Sequence, residues 1–310
     1  MNLSVFRPNA RAYFGAPLYY GGLRALGVPA LRRRLIDEAL ILCYHNVIPA
    51  RQDQAGDPGL HVRVDTFERQ IQWLRRHYTI VSLRTLVERL ESGASLRSLA
   101  AITFDDGYRG VFENAVPILR RCVVPATVFV VAEAVGSPAG FWWDHRAVVD
   151  TITPDRRRRW LSELCGEGAA ILARHPISAD VALPPSHLPA DWQTIRTSMS
   201  EILDIGAHSA THRTLPSLSD ADLERELVSS RETIGQAIGR HPDFLAYPYG
   251  IWDARVRERA REAGYRAALT LDTGLNRTRA DLWSLRRVNV PARISADAFE
   301  AWACGFNRAH

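Results

Sequence analysis

Apolar residues along this chain fall into two alternating rhythms. Ala39-Leu40-Ile41-Leu42-Cys43-Tyr44 is an unbroken apolar run and reads as a buried strand. Phe67, Ile71, Leu74 and Tyr78 then recur at i, i+4, i+7 and i+11, the spacing of one helix face. Further strands are predicted at Thr79 to Ser82, Ala100 to Phe104, Ala126 to Val131, Asp204 to Ala207, Asp243 to Tyr247 and Arg266 to Thr270. Helices are predicted over Thr85 to Ser92, Glu113 to Arg121, Asp220 to Ile238 and Trp252 to Ala263, with Ser219 and Asp222 forming a variant capping box. Short buried strands separated by helices predict a parallel sheet or barrel. Two stretches break the rhythm. Residues 136 to about 200, with Trp142-Trp143, an arginine run and several prolines, read as an insertion over one face. Residues 1 to 38 read as an extension, with Phe6, Tyr13, Phe14, Tyr19 and Tyr20 followed by helical spacing from Leu26 to Ile36. That extension reads first as a helix packed on the domain, and alternatively as a basic amphipathic segment resting on a membrane surface.

Composition narrows the picture without changing it. A length of 310 residues fits one main α/β domain over residues 39–310, with trimmings, and 46% hydrophobic and 24% charged residues are ordinary globular values. The net charge of +5 comes entirely from arginine, since the chain has no lysine. Its basic pairs and runs are scattered and no nucleic-acid motif accompanies them, so no nucleic-acid partner is expected. Cys43, Cys122, Cys165 and Cys304 form no CxxC pair and are expected as free thiols. Neither a secretory signal nor a span long enough to cross a bilayer is visible in the sequence, which sets a cytoplasmic expectation, possible membrane contact by the extension aside.

Three short segments carry chemistry. Ile102-Thr103-Phe104-Asp105-Asp106-Gly107-Tyr108 ends a predicted strand in two adjacent carboxylates and a glycine. Neighbouring carboxylates repel unless a cation or proton separates their roles, so one on a metal and one as a base is a sensible division. The bland alternative is a solvated Asp-Gly turn. Gly206-Ala207-His208-Ser209-Ala210-Thr211-His212 again follows a strand, and two imidazoles four residues apart can meet on one cation if the segment is helical or tightly turned. Two histidines and one carboxylate leave room for water and substrate. In Ala246-Tyr247-Pro248-Tyr249-Gly250, proline and glycine fix a bend whose backbone N–H groups can face a developing oxyanion, although alone it is an ordinary turn.

In this order, Thr-Phe-Asp-Asp-Gly, His-Ser-x-x-His and Tyr-Pro-Tyr-Gly resemble the polysaccharide deacetylases of carbohydrate esterase family 4, the NodB-homology domain. The resemblance covers about residues 40 to 295, and Pro117-Ile118-Leu119 and Val124 to Phe129 fit it as well. It implies a distorted (β/α)7-type barrel. It also implies Asp106, His208 and His212 as ligands of a divalent metal (zinc, with cobalt or nickel as alternatives), Asp105 as general base, and Tyr249, Pro248 and Tyr108 at the substrate or oxyanion. The family's Leu-x-His acid is missing from Leu282 to Val288, but Tyr44-His45-Asn46-Val47 follows the first strand. This pattern is similar to the circularly permuted poly-N-acetylglucosamine deacetylases, so His45 is assigned as the acid. Phe244 and Ala246 stand where many relatives place the arginine that orients the base, and Arg287 is the substitute candidate. Asp272 and Trp283 are stand-ins for a fourth motif that is not clearly present.

The implied reaction is hydrolysis of an N-acetyl group from an amino sugar in a glycan or precursor. Nucleotide-linked, lipid-linked and oligosaccharide substrates all stay open. Trp142, Trp143 and Trp252 offer stacking faces to a sugar or sit in the core. O-acetyl esterase, non-sugar amidase and metal-free carbohydrate-binding protein are the rival functions.

Overall fold

The computed structural model describes residues 16–52, 55–174 and 182–306. Its strands in chain order are β1 Glu38–Tyr44, β2 Asn46–Ile48, β3 His61–Arg63, β4 Thr79–Ile80, β5 Leu99–Phe104, β6 Ala126–Val130, β7 Leu203–Ala207, β8 Phe244–Ala246, β9 Ala267–Thr273, β10 Asn276–Arg277 and β11 Leu285–Asn289. Seven of them close into a parallel barrel in the order β1-β5-β6-β7-β8-β9-β11, with β11 returning to β1. The expected (β/α)7-type barrel is the fold observed. β10 pairs antiparallel with β1 and β4 extends β5, both outside the ring.

The apolar runs follow from this closure, because a barrel strand is buried on both faces and needs no polar alternation. In β5 every residue is buried. Leu40, Leu42, Ala100, Ile102 and Phe104 join Phe67, Ile71 and Leu74 of the helix Val64–His77 in the outer core. Ala39, Ile41, Ala101, Phe129, Phe244, Leu269 and Leu285 form the inner core. Leu83, Leu86, Val87 and Leu90 of the helix Leu83–Ser92 join this inner group. That group includes residues from the first turns of several strands, so the helix plugs the barrel's N-terminal end. Chemistry is therefore left to the C-terminal end, as in other barrels.

Some boundaries differ from expectation. Ser82 is not strand but the cap of the plugging helix, its hydroxyl accepting from the Thr85 N–H at 3.1 Å. Within the predicted helices over 113–121 and 220–238, π-helical turns occupy Val111–Ala115 and Arg225–Ser229. β11 was not expected at all. Between β6 and β7 the described parts of residues 136–200 form short helices, including Trp142–Asp144 and Pro154–Glu163. Two helices, Ala16–Ala25 and Val28–Leu35, precede β1 and pack on the domain. Trp302 donates to the Tyr20 hydroxyl at 2.8 Å and Arg24 pairs with Asp297 at 2.7 Å. The helical stretch expected from Leu26 to Ile36 runs from Val28 to Leu35, Gly27 with a φ of 68° standing at its N-cap and separating it from the helix before. Phe6, Tyr13 and Phe14 lie outside the described residues. All four cysteines are free thiols. Among the described residues no helix is long and apolar enough to cross a membrane.

Candidate metal and catalytic site

The three motifs and β11 meet at the C-terminal end of the barrel. A pocket of about 310 Å³ there is lined by His45, Leu60, Asp105, Asp106, Trp143, Arg157, His208, His212, Tyr249 and Leu271. The turns that carry these side chains are held in a rarely populated backbone region. Asp106, Ser209, His212 and Tyr249 all have φ between 58° and 71°. Such conformations cost of order 1–3 kcal/mol each and persist only where the surroundings impose them. Gly107 follows Asp106 with φ 72°, and a Cβ there would lie 2.9 Å from Val130 Cγ1, so both conformation and space require glycine.

Asp106, His208 and His212 converge. The distances are 3.5 Å from Asp106 Oδ1 to His208 Nε2, 3.3 Å from Asp106 Oδ1 to His212 Nε2, and 3.2 Å between the two Nε2 atoms. A tetrahedral zinc with bonds near 2.0–2.1 Å spaces its ligand atoms about 3.3 Å apart. The donor triangle thus has the size of three corners of such a site, and two imidazole nitrogens this close are stable together only around a proton or cation. His208 Nδ1 lies 2.8 Å from the Ala246 carbonyl, a contact that assigns it the proton and turns the Nε2 lone pair inward. His212 is instead held by packing, its ring 4.8 Å from Trp143 and 4.4 Å from Tyr249. Burial lowers both histidines, His212 to about 4, which keeps the imidazoles neutral as ligands require. Burial also pushes Asp106 up to about 6; a cation at this point reverses that tendency. The residues present fit a divalent metal.

The turn from His208 to His212 is tight rather than helical, and a buried carboxylate pins it. Glu226 Oε2 accepts from the Ala210 and Thr211 N–H groups at 3.0 and 2.9 Å, and Oε1 meets the Thr211 hydroxyl and Arg213. Glu226 sits on the π-helical turn Arg225–Ser229, whose extra residue re-aims the side chain inward.

Asp105 lies beside the triangle, its Oδ2 3.9 Å from His208 Nε2. Arg287 from β11 grips it with both arms, NH1 to Oδ1 and NH2 to Oδ2 at 2.7 Å each, while Nε donates to the Thr270 carbonyl at 2.8 Å. Burial alone would raise Asp105, but the Arg287 guanidinium outweighs it and holds the carboxyl far below the usual range. The Cys43 thiol donates to Asp105 Oδ2 at 3.4 Å. His45, at the end of β1, also lines the pocket; burial lowers it while Asp106 and Asp105 pull the other way, and the net shift is downward.

Not every expected residue faces the pocket. Tyr108 is fully buried, donating to Asp144 Oδ2 at 2.6 Å and accepting from Trp143 Nε1 at 2.8 Å. The left-handed Asp106-Gly107 pair turns the chain so that this ring supports Trp143 from behind, and Tyr108 does not line the pocket. Pro248 is buried and does not line the pocket, whereas Tyr249 does. Trp143 forms part of the wall, Trp142 is buried behind it, and Trp252 stacks on Tyr247 elsewhere. Neither Asp272 nor Trp283 lines the pocket. Sequence reasoning missed Glu226, Cys43, Arg157, Leu60 and Leu271 at or around the site. None of these carries a motif: Cys43 and Leu271 come from barrel strands, Arg157 from the 136–200 stretch, Leu60 from the loop before β3 and Glu226 from the π-helical turn.

Residues 93–268 match the family model for polysaccharide deacetylase. The chain belongs to the polysaccharide deacetylase family. Among curated relatives, a poly-beta-1,6-N-acetyl-D-glucosamine N-deacetylase of Staphylococcus aureus (strain N315) is 22% identical over 274 residues, covering 85% of this chain and 81% of that protein. The enzyme of the same name from Escherichia coli (strain K12) is 24% identical over 289 residues, or 83% of this chain, and the match spans only 37% of that longer protein. The structure of IcaB from Ammonifex degensii superposes with a TM-score of 0.62 at 20% identity, covering 87% of this chain and 98% of that one, which speaks to the fold.

Proposed function

We propose that this chain is a metal-dependent N-deacetylase of amino sugars, with residues 39–310 as the deacetylase domain and residues 136–200 as an insertion roofing its pocket. The observation that carries the reading is the triangle of Asp106, His208 and His212 donors, 3.2 to 3.5 Å on a side, next to an Asp105 kept ionised by Arg287. A divalent cation bound by these ligands, zinc with cobalt or nickel as alternatives, supplies Lewis acidity that acidifies water and polarises an acetyl carbonyl.

The protein's own groups do the rest. Asp105, ionised and oriented by Arg287, accepts the proton of the attacking water. Tyr249, which lines the pocket, offers its backbone N–H to the oxyanion. His45 gives a proton to the departing amine nitrogen, which would otherwise leave as an anion. Trp143, packed on His212, walls the site against water. The substrate is an N-acetylated amino sugar, whether nucleotide-linked, lipid-linked or at an oligosaccharide end, its acetyl group reaching the His45, Trp143 and Tyr249 wall beside the donor triangle.

The test is Asp105→Asn, assayed for bound metal and for acetate released from N-acetylated amino sugars. The expected variant keeps its metal and loses at least about a hundredfold in turnover. An unaltered rate would remove Asp105 from the role of base.

A further inference from the structure

The arginines are scattered along the chain, but their excess over acidic residues arises at one end. Residues 1–36 hold six of the 39 arginines and none of the 34 acidic residues, so the remaining 274 residues carry 33 arginines against 34 acids. The described part of that segment is the helix pair Ala16–Ala25 and Val28–Leu35, and it is built with its apolar stripe outward. Among the described residues seven large apolar side chains are exposed, and Leu18, Tyr19, Leu26, Leu31 and Leu35 are five of them, from 59% to 91% accessible. Leu18, Leu26 and the intervening exposed Gly22 and Ala25 follow helical spacing, as do Leu31 and Leu35. The opposite stripe is already used, with Tyr20, Pro29 and Arg32 against the domain.

Isolated exposed leucines need no explanation, but a contiguous set on adjacent helices does. Arg34 and Arg97 are exposed at one end of the pair, where Arg97 donates to the Arg34 carbonyl. Arg34 has no acid within ion-pair distance among the described residues, whereas Arg24 is paired with Asp297 and Glu300, Arg32 with Glu38, and Arg33 turns onto the domain over Trp73 and Tyr78 and donates to Cys304 Sγ. A cleft beside the pair has mixed charge, with Arg24, Arg33 and His77 lining it together with Glu300 and Trp73, so the unbalanced cations lie at the Arg34 and Arg97 end. An apolar stripe flanked by exposed arginines, here Arg34 and Arg97, is the composition of an interfacial anchor, in which leucines enter the acyl boundary and cations meet anionic headgroups.

We propose that this helix pair docks the protein on an anionic lipid surface, Leu26, Leu31 and Leu35 inserting and Arg34 and Arg97 facing the headgroups. This is independent of the deacetylase reading. The purified full chain is sedimented with vesicles of phosphatidylcholine alone and of phosphatidylcholine with phosphatidylglycerol. The expected result is binding to the anionic vesicles only, weakened by salt. Each arginine near such a surface changes partitioning about fivefold, so Arg34→Ser with Arg97→Ser should weaken it about twenty-five-fold. Leu26→Ser, Leu31→Ser and Leu35→Ser together should lower it at least about tenfold with the melting temperature unchanged, because these side chains are exposed. Absence of vesicle binding, equal binding to neutral vesicles, or a concentration-dependent dimer that the leucine variant abolishes would each overturn the proposal.

Discussion

Replacing Arg287 by methionine removes four hydrogen bonds and the countercharge of a fully buried carboxylate, while roughly conserving volume. Breaking a buried pair by deleting one partner costs about 3–5 kcal/mol, because the remaining charge is left unpaired in a low dielectric. At about 2.1 cal/mol/K of unfolding entropy per residue, that loss lowers the melting temperature by about 5–8 °C. In the wild type the folded carboxyl lies below its unfolded value of 3.8, so the pair's stabilisation is present above that pH and is lost as pH falls through the folded value. In Arg287→Met burial is unopposed by the guanidinium and Asp105 shifts upward instead, so protonation favours that folded state. The stability gap between the two proteins should therefore narrow on acidification from neutrality toward pH 4. Thermal unfolding followed by circular dichroism with chelator present, across this pH range, measures it without reference to activity. Acetate release then reports the same event, as the acid limb of kcat/KM moves toward neutral pH. Arg287→Lys keeps the charge but not the two-armed grip and should recover only part of either property. A melting temperature within about 1 °C of wild type, together with an unmoved acid limb, would refute the reasoning.

Two more expectations come from neighbouring residues. If His45 is the acid, activity requires its proton and is lost as pH rises through its pKa, which burial places below the ordinary 6.5. The descending limb of kcat/KM should lie in that region and vanish in His45→Asn; a rate still rising on the alkaline side would exclude the role. Glu226→Ala frees the turn between His208 and His212, and a support of this kind is worth about 10–100-fold in metal affinity, measurable by competition with a chelating dye. An unchanged affinity would show that the turn holds itself.

The sequence was most legible where one residue type had few alternatives. Asp-Asp-Gly and His-x-x-x-His stood at the ends of apolar runs, and barrel closure gathers such ends at one rim. It was least legible where closure itself supplies the contact. Leu285-Arg286-Arg287-Val288-Asn289 reads as polar, yet it is a barrel strand, because the inward guanidinium of Arg287 is neutralised by Asp105 and capped by Thr270. Arg287 was reached only through its resemblance to a family segment. Tyr108 was misplaced because nothing in Asp106-Gly107 announces two consecutive left-handed residues, the first of which is not glycine. Glu226 was invisible because a π-helical turn changes a helical residue's direction without leaving a mark in its spacing.

The central claim is most directly tested by titrating the metal-stripped protein with zinc, cobalt and nickel while following acetate release from N-acetylated amino sugars. The account predicts one tightly bound ion per chain, lost in Asp106→Ala and His208→Ala, with acetate release that appears on metal addition and disappears with chelator. No bound metal and no acetate with any of the three ions, from a protein that remains folded, would contradict it.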